Sequence, residues 1–409
     1  MNNFLSFVNE TSFLIPIVII LGLSILFTIL TGVLKLKFIP AFIIEIILGI
    51  ILKLVFYDYT FSDTYFNITE IMYTTGFIFL MFLSGFDNNL SIVHSDKEKT
   101  SKHHINIRKL SMIFIVIFYI ISLCFSFIFF KNFDKKILGI VLLTITFSST
   151  FAGLVVPLEK EEGIFNTTLG SFITYLSTIS ELITIVLLTI FMVVLDFSLV
   201  RLVSYIGLIL LFVIVWLLNK IIKKSFERIE RGFTHFPFRI LIVILGLCVI
   251  LCEYAGGEYI LGAFLLGMFL KKIKFSEEVV EELESICFGI FAPIFFVIVG
   301  TKVDIKIFID NPQWLIIVLI MVAAFFACKL PLIYLIRWYN KKTTILSIVL
   351  TACTLIVGIA VSHLGETRGV FSEEFGGCII LSSIITCIIS SIVCKVISID
   401  TLEKVEIKE

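Results

Sequence analysis

The chain has 409 residues, of which 59% are hydrophobic and 16% charged, with a mean hydropathy of +1.11. Soluble globular chains run near 45–50% apolar and about 25% charged, so a soluble enzyme, a nucleic-acid binder and a disordered protein are all excluded. Lysine plus arginine equals aspartate plus glutamate, 32 of each, and this balance implies neither an acidic nor a basic partner. Apolar stretches of about 20 residues recur along the whole length, which is the length needed to cross a bilayer as a helix. A transmembrane β-barrel would alternate and would not give continuous apolar runs. The expected fold class is an all-α polytopic membrane protein.

In chain order, about 13 transmembrane helices are expected, near 12–34, 38–57, 68–86, 110–130, 137–157, 168–195, 200–219, 238–254, 258–270, 286–301, 314–337, 343–364 and 376–396. The first lacks a basic leader and a cleavage site, so it reads as a retained span. Basic residues are unevenly shared between the two sides. The segments 87–109 and 220–239 are the most basic, and they fall on the same side as Lys35, Lys37, Lys271, Lys272, Lys274, Arg337, Lys341 and Lys342. About 23 of the 32 lysines and arginines lie on that side and about 8 on the other. This places the N-terminus outside and the C-terminus in the cytoplasm, as an odd number of spans requires. No loop is long enough for an appended soluble domain, so no ATP-binding domain is expected in this chain. There is no Walker A sequence, no HExxH and no His/Cys cluster, and no cofactor is expected.

Two spans are interrupted by small and polar residues. The fifth contains TITFSSTFAG, with Ser148, Ser149, Thr150 and Gly153, and closes with Pro157. The twelfth contains LTACTLIVG, with Thr351, Thr354 and Gly358. They lie seven spans apart, and an odd offset makes them cross the membrane in opposite directions. Paired interruptions in two inverted halves point to broken helices at the midplane site of a secondary transporter. The plainer reading is that these hydroxyls bond back to helical carbonyls or hold helices together.

Ionisable residues at membrane depth carry the chemistry. Glu181 lies near the middle of TLGSFITYLSTISELITIVLLTIFMVV, roughly 20 Å from either end at 1.5 Å per residue. An ionised carboxylate there is costly unless paired, hydrated or neutralised. A bound proton or metal cation neutralises it, which is the chemistry of an alternating H⁺ and cation site. A structural acid bonded to a neighbouring helix is the alternative. Lys329 reads either as an internal counter-charge or as a snorkelling lysine that ties down a kink at Pro331, whose ring frees backbone carbonyls for an ammonium. Glu45 suits a structural role or a transport role equally. His103, His104 and His235 read as solvated loop residues. Glu159, Lys160, Glu161 and Glu162 read as a solvated turn. The nine cysteines lie in apolar spans with no CxxC pair, and they read as small buried hydrophobes.

Five stretches resemble a known family. PAFIIEIILGIIL (Pro40, Glu45, Gly49) and FIFLMFLSGFDNNL (Gly85, Asp87) are similar to its early helices, and FSSTFAGLVVPLEKEEGI to its Ser-Ser-Thr crossover segment. YILGAFLLGMFL (Gly262, Ala263, Phe264, Gly267) and APIFFVIVGTKVDI (Pro293, Phe295, Phe296, Gly300, Asp304) are the most specific matches. The chain so resembles the monovalent cation:proton antiporter superfamily, which includes sodium/proton antiporters and Kef-type potassium efflux systems. The resemblance implies a core of six helices moving against a dimerisation domain in a homodimer. It assigns 1–107 and 223–310 to dimerisation, 108–197 and 311–398 to the two core halves, 198–222 to a linker helix and 399–409 to a cytoplasmic tail. TISELITIV aligns with the family's ion-site motif. This puts Glu181 in the place of the ion-binding aspartate, Ser180 in the place of the preceding acid or amide, and Lys329 on the family's lysine. Glutamate lengthens the arm, and serine removes a second acid.

The expected activity is exchange of Na⁺ or K⁺ for H⁺ across a lipid bilayer, here a bacterial plasma membrane. Glu181 would hold the cation transiently with the oxygens of Ser180, Ser149 and Thr150, Lys329 would be the charge partner, and Thr351 and Thr354 would form the second crossover. A single acid makes one H⁺ per cation the simplest stoichiometry. A sodium-coupled organic-anion symporter and a channel-like or sensory membrane protein are the alternatives.

Overall fold

The computed structural model describes residues 18, 20–26, 29, 41–56, 63–87, 107–129, 136–165, 167–195, 236–254, 259–270, 277–303, 305–337 and 340–401. The expected span 200–219, all three loop histidines, Asp304, Pro40 and most of the basic loop segments lie outside the described residues. Among the described residues the secondary structure is helical, without strands.

Seven described segments are long and apolar enough to cross a membrane: Ile107–Phe129, Ile137–Val156, Thr168–Leu188, Val279–Asp310, Gln313–Leu335, Lys341–Thr367 and Glu373–Ile397. Glu70–Phe86 and Phe238–Cys252 are shorter apolar helices. The chain is an integral membrane protein by this measure.

The described residues divide between two compact units. The first holds α1 (Ala41–Phe56, from Ile44), α2 (Asp63–Asp87), α7 (Phe236–Tyr254), α8 (Tyr259–Leu270), α9 (Glu277–Ile286) and α10 (Ala292–Lys302, apart from its last residue). A π-helical turn at Cys287–Phe291 joins the last two. α9 is an element the hydropathy pattern passes over. Its sequence EEVVEELESI is acidic and forms the start of the Val279–Asp310 segment, and Val279 and Leu283 fall one turn apart and are buried.

Four glycines set the spacing in this unit. A Cβ at Gly49 would run into the Val297 carbonyl, and one at Gly300 into the Ile46 carbonyl. α1 and α10 therefore meet backbone to backbone. Gly85 faces the Phe264 carbonyl, and Gly267 the Phe82 carbonyl, in the same way between α2 and α8. Apolar burial cannot drive helix pairing in lipid, so close backbone approach supplies the contact. We expect Gly267→Val to force α2 and α8 apart and to cost at least ~1–3 kcal/mol. A lower melting temperature in detergent is the readout, and an unchanged one would contradict this packing.

The second unit holds α3 (Ile107–Phe129), α4 (Lys136–Ser148), α5 (Ala152–Glu161), α6 (Thr168–Leu195, through Leu188), α11 (Ile305–Asp310), α12 (Gln313–Lys329), α13 (Lys341–Ala352), α14 (Ile356–Thr367) and α15 (Glu373–Thr401). Its polarity is inside out relative to a soluble helix bundle. On α3 the aliphatic residues Ile113, Val116 and Ile120 are exposed, while Ser111, Phe118, Ser122 and Ser126 form the buried stripe. Ser126 Oγ accepts from Thr144 on α4 at 3.1 Å, and Ser122 donates to Cys328 Sγ on α12 at 3.3 Å.

Burial also locates the centre of the unit. In the apolar stretch of Lys341–Thr367 94% is buried and in that of Ile137–Val156 83%, against 28% in that of Ile107–Phe129. These two central spans are the broken ones. One unwinds between α4 and α5, the other between α13 and α14. Unwound backbone at membrane depth is tolerated only where protein shelters it, and here the other helices of the unit do so. Pro157 lies inside α5, which continues to Glu161, so the proline does not close the helix as expected.

Candidate functional site

The two unwound segments cross and hold each other. The Phe151 amide donates to the Cys353 carbonyl at 2.8 Å, and the Thr150 hydroxyl donates to the Thr351 carbonyl at 2.9 Å. The Ser149 and Thr354 hydroxyls are bonded to one another. The crossing thus joins Ser149 and Thr150 to Thr354 and to the backbone of Thr351. The hydroxyl of Thr351 instead bonds back to the Ser347 carbonyl at 2.7 Å, within its own helix.

Breaking a helix leaves a carboxyl end with orphan carbonyls and an amino end with orphan amides, carrying partial negative and positive charge. At the first break each end meets an ionisable side chain whose charged form has the opposite sign. The Lys329 ammonium donates to the Ser148 carbonyl at 2.6 Å and to the Ser149 carbonyl at 3.1 Å, at the end of α4. It also reaches the Thr150 hydroxyl at 3.4 Å and lies 4.3 Å from the centre of the Phe118 ring. Across the break, the Ala152 amide at the start of α5 donates to Glu181 Oε2 at 3.1 Å. Glu181 is 1% exposed and Lys329 0%. An anion at a helix amino end and a cation at a carboxyl end is the favourable arrangement for both.

Ser180 donates to the Ser148 carbonyl at 3.1 Å, and Ser149 donates to the Thr146 carbonyl at 2.8 Å. Hydroxyls whose hydrogens are committed to carbonyls present their lone pairs elsewhere, which suits a hard cation. Tyr119 on α3 bonds Thr184 at 3.0 Å, one turn beyond Glu181.

Three expectations change here. Lys329 takes its carbonyls from the distant crossover rather than from the kink at Pro331. α12 gives way to a 3₁₀ segment, Leu330–Arg337, just after the lysine, and the side chain runs into the unit instead of toward the interface. Glu159 is fully buried, contrary to its reading as part of a solvated turn. Gly163, at a left-handed φ of 68°, lets the chain fold back, and the Ile164 and Phe165 amides bond the Glu159 carbonyl at 2.9 and 3.0 Å. Cys124 is exposed on α3, unlike the other eight cysteines.

Phe118, Tyr119 and the Ala152 amide carry no signal in the sequence. Two are aromatic residues in an apolar span, and the third is a backbone group. Glu45 lies in the first unit, where the Ser24 hydroxyl donates to it at 3.1 Å.

A bundle with sheltered, crossing helix breaks capped by buried charges belongs to the membrane proteins whose irregular backbone lines an internal site. The model of the transmembrane sodium/hydrogen exchanger family matches residues 21–399, and the chain belongs to that family. YjbQ of Bacillus subtilis is 31% identical over 391 residues, covering 93% of this chain and 62% of the relative. The Na(+)/H(+) antiporter of Enterococcus hirae is 27% identical over 253 residues, covering 59% of this chain and 62% of that protein. The chain thus spans less than two thirds of either relative. Among solved structures, the sodium proton antiporter MjNhaP1 from Methanocaldococcus jannaschii superposes with a TM-score of 0.65 at 17% identity. That match covers 96% of this chain and all of the other, and it shows a shared fold.

Proposed function

We propose that the chain exchanges a monovalent cation, Na⁺ or K⁺, for H⁺ by alternating access. The observation that carries this reading is the Glu181 carboxylate, buried at the amino end of a half-helix inside a crossing of broken helices. Ionised, it is a poor passenger across an apolar barrier. Neutralised by a proton or a dehydrated cation, it can cross. Only the occupied states then move, which couples the two ions and suppresses leak.

In this reading Ser180, Ser149 and Thr150, at or next to the same break, supply hydroxyl oxygens to the cation. Lys329 holds the negative end of α4, so an arriving cation does not meet uncompensated carbonyls drawn toward it. One exchanging acid gives one H⁺ per cation, an electroneutral cycle. The name of the Enterococcus relative supports cation/proton exchange. In this reading the second unit is the moving core and the first is the platform through which a homodimer forms. The protein would lie in a bacterial plasma membrane with its N-terminus outside.

The test is purified protein in liposomes that carry a pH gradient and an internal pH dye. Na⁺, K⁺ and Li⁺ are added in turn. Cation-dependent collapse of the gradient, with no steady current in a planar bilayer, is the expected result. A gradient indifferent to every cation would reject exchange. A steady current that reverses with the ion gradients would reject the electroneutral cycle.

A further inference from the structure

A second buried carboxyl lies on the same pair of helices as Glu181. Glu159 falls between the spans Ile137–Val156 and Thr168–Leu188 and is 0% exposed. Its Oε2 accepts from the Thr174 hydroxyl on α6, and its Oε1 has no hydrogen-bond partner among the described residues. Among those residues no basic side chain offsets it. Lys160, its neighbour on α5, is exposed and lies over the Phe165 ring at 5.7 Å, and α6 contributes a hydroxyl at the contact. Burial pushes this carboxyl up to about 8, with the Thr174 hydroxyl opposing the rise.

The two acids are in register. α5 and α6 run antiparallel, with Ala152 against Glu181 at one end and Glu159 against Thr174 at the other. Seven residues separate the contacts on each helix, about 10 Å at 1.5 Å per residue. Between them on α6, three residues after Thr174 and four before Glu181, sits Ser177. It is fully buried, and its hydroxyl likewise has no partner among the described residues. Residues at these spacings share one helix face. α6 therefore presents the hydroxyls of Thr174 and Ser177 in a line from one carboxyl to the other. An unpartnered buried hydroxyl and an unpartnered carboxyl oxygen are costly, and a purely structural role leaves that cost unexplained.

We propose that Glu159 is a proton-binding residue that passes protons to Glu181 along the hydroxyl face of α6. Glu159 as carboxylate takes a proton from water on the side assigned to the cytoplasm. When the cation leaves, one proton moves from the Glu159 carboxyl to the Glu181 carboxylate. Water links the Thr174 and Ser177 hydroxyls to each other and to the Glu181 carboxylate, and each oxygen on the path accepts a proton as it gives up its own. Glu159 is left ionised and takes the next proton from solvent. One proton is transferred, and nothing is oxidised or reduced. This inference rests on the exchange reading for Glu181, but the binding of a proton at Glu159 does not.

The test has two arms. The first is infrared difference spectroscopy of the protein in lipid, titrated with acid and base, for the wild type and Glu159→Gln. A protonated-carboxyl band that titrates in the wild type and is missing in the variant is expected. Identical spectra would overturn the proposal. The second arm is liposome exchange across a range of pH. Glutamine keeps the shape of Glu159 and an acceptor for Thr174, so a structural role survives the change. We expect Glu159→Gln to slow exchange at least about tenfold at alkaline pH with the cation KM unchanged, and Ser177→Ala to do the same with the infrared band intact. Wild-type rates in both variants would overturn the relay. No exchange by the wild type would overturn the transfer to Glu181, while the infrared arm would still decide whether Glu159 binds a proton.

Discussion

Glu181→Gln is expected to reduce cation-dependent collapse of a pH gradient to the level of empty liposomes, a loss of about 100-fold or more. That corresponds to at least ~2.7 kcal/mol at 1.36 kcal/mol per tenfold. The substitution removes the charge and leaves the geometry. The glutamine side-chain oxygen still accepts from the Ala152 amide that now bonds Glu181 at 3.1 Å, so the fold and its melting temperature should persist. What is lost is the alternation between an ionised group and a neutralised one. Glu181→Asp tests the arm length separately. It restores the charge but withdraws it from the amino end of α5, and partial activity with a weaker cation dependence is expected. Folded Glu181→Gln protein that keeps more than a tenth of the wild-type rate would remove Glu181 from the exchange step.

The second large effect is structural. Lys329→Met keeps the length and apolar stem of the side chain and deletes the ammonium that bonds the Ser148 and Ser149 carbonyls. Both carbonyls are buried at the end of α4. The Ser148 carbonyl keeps the Ser180 hydroxyl, but the Ser149 carbonyl loses the donor it has from Lys329. Leaving one buried polar group unsatisfied costs about 1–3 kcal/mol, so unfolding of the core should become easier by roughly that amount, apart from the lost contact with Phe118. Denaturant unfolding in detergent measures it. Lys329→Arg should rescue only in part, because a planar guanidinium cannot reproduce a compact donor at one point. Unchanged stability in Lys329→Met, with an altered cation KM, would assign Lys329 to charge partnership with Glu181 rather than to holding the crossover.

Much of the site is legible in the residues alone. Glu181 stands out because an acid in the middle of 28 helical residues has no route to water. The two breaks stand out because FSST and TACT interrupt runs of isoleucine, leucine and phenylalanine. Glu159 is hidden for the complementary reason. Its neighbours Lys160, Glu161 and Glu162 give the stretch a hydrophilic average, and an average conceals one residue turned inward by the fold of the following chain.

Hydropathy is local and additive along the chain. Residue order therefore suffices for the class of protein, the helical spans and the presence of a carboxylate at membrane depth. The partners of each charge come from packing over long separations. Lys329 lies about 180 residues from the carbonyls it binds, and nothing local marks Ser148 and Ser149 as its acceptors. The pairing of Gly85 with Phe264 and of Gly267 with Phe82 is equally distant. A glycine in an apolar helix shows that something approaches closely, and only the packed bundle shows what. The same holds for Glu159 and Glu181, whose common register arises because a tight turn at Gly163 sends α6 back along α5.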